Sequence, residues 1–286
     1  MFAAARVRFF RMLAMIAAAG SSMITSAAWG YTVYGATANG ILTRFDSASP
    51  ASPILTVLIT GLGAGESIIG LDFRLADGRL YAVTRTSGNL GHLYSLNTET
   101  GAAALAAELT GDGVTPYVLN GAAFGMDFQP VVDRLRIVSD TGMNIRVNPA
   151  NGIVFTDAAL NPGTFHVVGA GYTNAFRGAS TTTLFDVDVA NDVLLLQGTA
   201  VISPNGGALT SIGPLGIAAD TPVSFDVFTL GANNTGYATF SVAGTVRFFL
   251  VNLVTGAATL VGNIGGNLPI VGLAVEPDTL FRNGFD

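Results

Sequence analysis

Ile69–Leu109, IGLDFRLADGRLYAVTRTSGNLGHLYSLNTETGAAALAAEL, is the stretch whose reading decides the fold. Its apolar residues alternate or cluster in runs of about five, as half-buried strands do. Asp77-Gly78 and Thr100-Gly101 fall between runs, where a positive φ costs glycine nothing. The segment therefore reads as four short strands joined by tight turns. A four-stranded unit of roughly 40–50 residues that recurs along a chain is the signature of a β-propeller blade.

The unit does recur. Aligned on their first strands, the copies are Gly70-Leu71-Asp72-Phe73, Gly125-Met126-Asp127-Phe128, Gly169-Ala170-Gly171-Tyr172, Ser224-Phe225-Asp226-Val227 and Gly272-Leu273-Ala274-Val275. The third strands recur with their exit turns, LYSLNTETG (93–101), IRVNPANG (145–152) and FLVNLVTG (249–256). Each leads through a short turn ending in Gly into an apolar strand, which is hairpin chemistry. The third unit is looser, with a hairpin of Leu184–Val189 and Val193–Gln197, a loop at Ser203–Gly207 and a last strand near Ala208–Ile212. The fifth unit is divided between the chain ends. Its first strand is Ile270–Glu276, and the others are Thr32–Thr37, Ile41–Asp46 and Ile54–Thr60. A ring closed in this way leaves no open sheet edge. The sequence predicts an all-β propeller of five blades, or six if the long third unit hides another.

Composition narrows the function classes. Half of the 286 residues are hydrophobic, 11% are charged and 36 are Gly, which excludes disorder. Mean hydropathy is +0.52, high enough to raise a membrane β-barrel. Barrel strands need about 9–11 residues and aromatic girdles, whereas these runs are shorter and the single Trp is Trp29. All 13 basic residues are Arg and the net charge is −6, which argues against nucleic acid and anionic lipid as partners.

Residues 1–28 read as a secretory signal. Arg6, Arg8 and Arg11 form a basic start, Met12–Ala19 is a short apolar run, and Ser26-Ala27-Ala28 supplies small residues for cleavage. Its removal takes the net charge to about −9. Met12–Ala19 is too short to span a bilayer. The expected divisions are a signal at 1–28, a propeller at 29–277 and a tail at 278–286, in a protein that is secreted, periplasmic or at the cell surface and monomeric. With no Cys, the fold rests on core burial.

The runs YGATANGILTRFDS, IIGLDFRLADGRLYAV, FGMDFQPVVDRLRIVSDTGMNIRVNP and TTTLFDVDVANDVLLLQ resemble the bacterial domain-of-unknown-function family numbered 4394. The similarity runs through nearly all of Tyr31–Glu276. It implies an exported propeller-like domain and brings no catalytic residues with it. The tail DTLFRNGFD resembles short Phe-x-x-Gly-Phe-acid endings of exported proteins, which implies sorting; the plainer reading is a frayed terminus.

Chemistry-bearing residues are few. There is no Gly-x-Ser-x-Gly elbow, and His92 and His166 are the only histidines, each at a strand end. Asp186, Asp188, Asn191 and Asp192 alternate like a calcium loop but lack its Gly and Glu, and Asp and Asn also favour hairpin turns. Arg134, Arg136 and Arg146, with Asp133 and Asp140 nearby, are expected on adjacent strands, where they lace a blade rim or hold an anion. Tyr31, Tyr34, Tyr117 and Tyr172 are aromatic candidates for stacking on sugars that the sequence cannot separate from core. Asp72, Asp127 and Asp226 fill one position in blades one, two and four, where Gly171 and Ala274 stand in blades three and five. On innermost strands these acids should accept backbone hydrogen bonds between blades; the alternative is that they converge on a cation. The chain reads as a non-catalytic binding or interaction module for an extracellular or cell-surface ligand, with no cofactor. The rival reading is a hydrolase or lyase acting on glycans or lactones through channel acids, with calcium as its possible metal.

Overall fold

The five aligned first strands are the innermost of five sheets in the computed structural model, which describes residues 30–114, 116–199 and 202–277. The segments read as signal and tail lie outside the described residues. Blade one consists of Ser67–Arg74, Arg79–Arg85, Gly91–Leu96 and Ala103–Glu108. Blade two runs Phe124–Gln129, Arg134–Ser139, Asn144–Val147 and Ile153–Thr156. Blade three contains Val167–Tyr172, Leu184–Asp188, Val193–Gln197 and Leu209–Pro214, four strands with no sixth blade hidden among them. Blade four is made of Asp220–Leu230, Asn233–Val242, Thr245–Val251 and Ala258–Asn263.

Blade five is the divided one. Ile270–Val275 pairs antiparallel with Thr32–Thr37, which continues into Ile41–Asp46 and Leu55–Leu58. The register sets Val33 against Val275 and Gly35 against Leu273, and Glu276 donates its N–H to the Thr32 carbonyl at 2.9 Å. The ring is therefore five-bladed and closed by strands from both ends of the chain. These are five separate sheets, whereas a membrane barrel is one closed sheet. Among the described residues no helix is long and apolar enough to cross a membrane.

Burial falls from axis to rim, which explains the hydropathy pattern. The inner strand Val167–Tyr172 is buried at every residue, so it reads as a continuous apolar and glycine run. The outer strand Ala103–Glu108 has no buried residue. The core lies between blades: Ile69, Tyr81, Val83 and Leu93 of blade one interlock with Met126, Phe128, Leu135 and Ile137 of blade two. Across the closing seam, Phe45 meets Phe248 edge-on at 5.3 Å. Fully burying such side chains stabilises by about 1.5–3 kcal/mol each, and this repeated burial substitutes for disulfides.

A second connection runs round the rim. The chain leaving each blade hydrogen-bonds to the next blade before turning inward. Thr60 donates to Gly101 O at 3.1 Å, Thr110 to Gly152 O at 3.0 Å and Asn161 to Gly207 O at 2.8 Å. Ala258 donates to Leu215 O at 2.9 Å and Gly265 to Pro50 O at 3.0 Å. This departure shortens the strand expected at Ile54–Thr60 to Leu55–Leu58 and adds a parallel strand, Thr110–Gly111, to blade two. It also gives the recurring turn glycine a second reason. Gly152 has φ 72°, and a Cβ there would lie 2.0 Å from the carbonyl oxygen of Glu108 in the preceding blade.

Candidate functional site

The five inner strands approach so closely that four of them carry glycine at the narrowest level and the fifth a buried Ser224. A Cβ on Gly125 would lie 2.5 Å from the Gly169 carbonyl carbon, and one on Gly272 would lie 2.5 Å from Leu71 N. Two residues further along, Asp72, Asp127 and Asp226 are buried and turned to one another. One oxygen from each lies within 4.8 Å of the others, the only such acidic or histidine group among the described residues. The space they line with Phe73, Phe128 and Val275 is about 20 Å³, enough for a single water-sized species.

These three carboxylates serve five equivalent backbone donors. The channel-side edge of an innermost strand has no further strand to pair with, so its buried N–H groups need other acceptors. Asp72 accepts from Phe128 N of the next blade at 2.7 Å and from its own neighbour Phe73 N at 2.6 Å. Asp127 accepts from Tyr172 N at 3.2 Å. Asp226 accepts from Val275 N at 2.7 Å and from Val227 N. Phe73 and Val227 take their bond from within their own blade, because the blades before them offer Ala274 and Gly171 instead of an acid. A Cβ at Gly171 would already meet Val227 Cγ2 at 2.8 Å, so no Asp fits there.

The electrostatics follow from that crowding. Burial, then the charge of Asp226, holds Asp72 well above the usual carboxylate range. Burial and the charges of Asp72 and Asp226 do the same to Asp127. Asp226 is pushed up to about 6, chiefly by burial and against the pull of its two N–H donors. Three carboxylates this close relieve their repulsion by keeping protons or by sharing a cation.

The other acidic set does not come together. Asp186 is completely buried in Leu184–Asp188, neither oxygen has a hydrogen-bond partner among the described residues, and burial holds its carboxyl well above the usual range. Asp188 caps the following turn, accepting from Ala190 N at 2.8 Å and Asn191 Nδ2 at 2.6 Å. Asp192 has φ 53° and accepts from Ala219 N at 2.8 Å. Asp186 lies mid-strand while Asp188 and Asp192 lie at the two ends of the turn, so the three acids have different tasks. His92 is tied through Nδ1 to Glu66 Oε1 at 2.5 Å, and the backbone N of His166 donates to Asp188. Tyr34 and Tyr172 are buried, and Tyr31 and Tyr117 are half-buried against the core.

Arg134, Arg136 and Arg146 do lie together, at a cleft of about 320 Å³ between blades two and three. Register places Arg136 opposite Arg146 on the adjacent strand. The expected acids are elsewhere: Asp133 pairs with Arg74 of blade one, and Asp140 accepts from Ala122 N at 3.0 Å. Asp157, just past the fourth strand, takes their place. It accepts from Arg136 Nη1 at 2.6 Å and from Arg146 Nε and Nη2 at 2.7 and 2.8 Å. Arg136, nearly buried, also donates to Asn144 Oδ1, Asn205 Oδ1 and the Tyr172 hydroxyl. Asp157 and Asn205 belong to no strand pattern, so only the fold brings them here. On the opposite side of the ring, where the inner strands begin, a groove of about 450 Å³ is lined by Arg85, Phe124, Asp140 and Pro222 among others.

Among solved structures, the chain is similar to one in "Crystal structure of Nidogen/Laminin Complex" at 14% identity and TM-score 0.51, covering 86% of this chain and 98% of that one. It is also similar to an engineered GH43 glycoside hydrolase (13%, TM-score 0.48, 90% of this chain and 55% of that one). A third likeness is to Chaetomium thermophilum Raptor (11%, TM-score 0.45, 87% and 27%). At such identities the first likeness shows the propeller fold alone, and the other two are weaker still. No curated protein matches the sequence. The sequence profile of the domain of unknown function DUF4394 matches residues 41–274, from the second hairpin strand of the closing blade round to its inner strand, and the chain belongs to that family.

Proposed function

We propose that this is an exported, non-catalytic binding module that acts as a monomer at the cell surface, in the periplasm or outside the cell, without a calcium cofactor. One observation carries the reading: the channel acids are committed to backbone N–H groups around a space of about 20 Å³. A glycosidase needs two carboxylates flanking a sugar, and a lactone hydrolase needs room for its ring. A space of one water admits neither. The hydrolase or lyase reading therefore loses the residues it was built on. The acidic surface and the signal-like residues 1–28 support export.

The test has two arms. Fractionation of cells expressing the full chain should place the protein beyond the cytoplasm, and deletion of residues 2–28 should retain it inside. The purified protein should turn over no chromogenic glycoside or lactone, with or without added Ca²⁺. Turnover that disappears in Asp127→Asn would restore the enzymatic reading.

A further inference from the structure

We propose that the cleft between blades two and three binds a small hydroxylated carboxylate the size of one sugar ring, with Arg134 and Arg146 holding the carboxylate. This assignment rests on the binding-module reading and gives it a ligand class.

The first argument is charge. The chain has no Lys, and only nine arginines lie between residues 30 and 277, yet three of them line this one cleft. A rim laced for stability would match them with acids. Among the described residues, Asp157 is the one carboxylate hydrogen-bonded to Arg136 and Arg146, while Asp186, which also feels the Arg136 charge, is held toward its neutral form by burial; Arg134 is bonded there only to the Val132 and Asp133 carbonyls, at 3.3 and 3.0 Å. The Asp133 side chain is turned away to Arg74. In an acidic protein, a pocket with surplus guanidinium attracts an anion.

The second argument is the division of labour among the three arginines. Arg136 is 2% exposed, and its bonds to Asn144, Asp157, Asn205 and Tyr172 make it a fixed floor. Arg146 is anchored through Nε and Nη2, and its side chain remains 29% exposed. Among the described residues, Arg146 Nη1 and Arg134 Nε and Nη2 have no partner. The donors left over thus belong to the two outer guanidiniums. Arg146 is also held over the Phe155 ring, at 5.8 Å. An arginine oriented by fixed neighbours loses little freedom on binding, and its planar fork matches a carboxylate.

The third argument is size and lining. About 320 Å³ is at the lower end for small-molecule pockets. Beside the arginines stand Gln129, Thr182, Ser203 and Asn205. Gln129 Oε1, Thr182 Oγ1, Ser203 Oγ and Asn205 Oδ1 are each bonded within the protein, which fixes these side chains and leaves the amide NH₂ groups of Gln129 and Asn205 to donate to a ligand's own hydroxyl groups. A bare anion would use the charge and leave these two amides idle.

Titration calorimetry with the purified protein tests this, using D-galacturonate, D-galactose and inorganic phosphate as probes. Galacturonate should bind, and galactose should bind about tenfold more weakly or not at all, since it lacks the carboxylate that the two guanidiniums hold. Arg134→Gln should weaken galacturonate about tenfold or more with unchanged melting, because that side chain anchors nothing else but a turn. Arg146→Gln should weaken galacturonate likewise but also lower the melting temperature, because it gives up two bonds to Asp157, which Arg136 still holds. Equal binding of galactose and galacturonate, or undiminished binding in both variants, overturns the proposal. Phosphate as tight as galacturonate leaves an adventitious ion only and overturns it too, as does no heat from any probe at millimolar concentration. Binding that proceeds to turnover, and is lost in Arg134→Gln, upholds the cleft and sinks only the non-catalytic reading.

Discussion

Asp226→Asn separates what the channel acids stabilise from what they cost. Asp226 is buried, accepts from Val275 N and Val227 N, and has its carboxyl raised from the ordinary 3.8 to about 6. A raised carboxyl binds its proton more tightly in the folded than in the unfolded chain. Its contribution is therefore fully present below about pH 4 and is lost as the pH climbs through about 6. Over that whole window the loss is about 3 kcal/mol, of which about 2 kcal/mol falls between pH 4.5 and pH 8. Asparagine keeps one acceptor oxygen and has no charge to bury, so its penalty, the weakened N–H bonds, is nearly the same at both pH values. Urea unfolding of wild type and variant at pH 4.5 and pH 8, in EDTA, should show the variant gaining about 2 kcal/mol on wild type between the two. A swing below about 0.5 kcal/mol would refute the view that the ring carries a repulsive burden in the folded state. A chelator should leave wild-type melting unchanged. A chelator-sensitive melt that Asp226→Asn abolishes would make the three acids a cation site.

Other outcomes follow from the same geometry. Deleting residues 270–286 should prevent stable folding, because it removes buried Ile270, Leu273 and Val275, worth about 5 kcal/mol or more together, whereas deleting 278–286 should leave the thermal midpoint in place; circular dichroism melts decide both. Asp127→Ala should lower the melting temperature in metal-free buffer by leaving Tyr172 N without its acceptor, at a cost of about 1–3 kcal/mol. Asp186→Asn should leave stability at pH 8 unchanged or increased, since that buried carboxyl has no donor to lose; a loss above about 1 kcal/mol by urea unfolding would reveal one. Gly152→Ala should destabilise by about 2–4 kcal/mol, combining a left-handed backbone with the Glu108 carbonyl in its way.

The blades were legible because an inner strand carries its own label. The narrow channel demands a small residue, Gly in four strands and Ser224 in the fifth, and its unpaired N–H groups call for an Asp two residues on in three of the five, so Ile270–Val275, with Gly272, declares its place despite lying over two hundred residues from its partners. Outer strands such as Leu55–Leu58 were less defined, because their side chains are exposed and their ends are set by contacts to the next blade. The convergence of Asp72, Asp127 and Asp226 was readable from their shared position. The fate of Asp186 was not, because it shares its alternation with Asp188, which caps a turn, and no local pattern separates a buried acid from a capping one. The arginine cleft was half visible: strand adjacency gave Arg136 and Arg146, but Asp157 and Asn205 come from loops that only blade packing brings there.

The divided fifth blade has a consequence for the order of events during synthesis. Its three outer strands leave the ribosome first and its inner strand last, so they must wait with an unpaired edge while four blades are made. Joining Thr37 to Ile270 closes a loop of over two hundred residues, an entropic toll of about 5 kcal/mol that the intervening blades reduce only by folding beforehand. That pairing spans the longest loop in the ring and so has the largest entropic cost of any strand pairing in it. A circular permutant that joins Glu276 to Thr32 and opens the chain at the exposed turn 87–90 would make the fifth blade local and divide the first instead. If blade one is the better self-assembler, with its strands already paired in hairpins, that permutant should refold more slowly than the natural order at unchanged equilibrium stability.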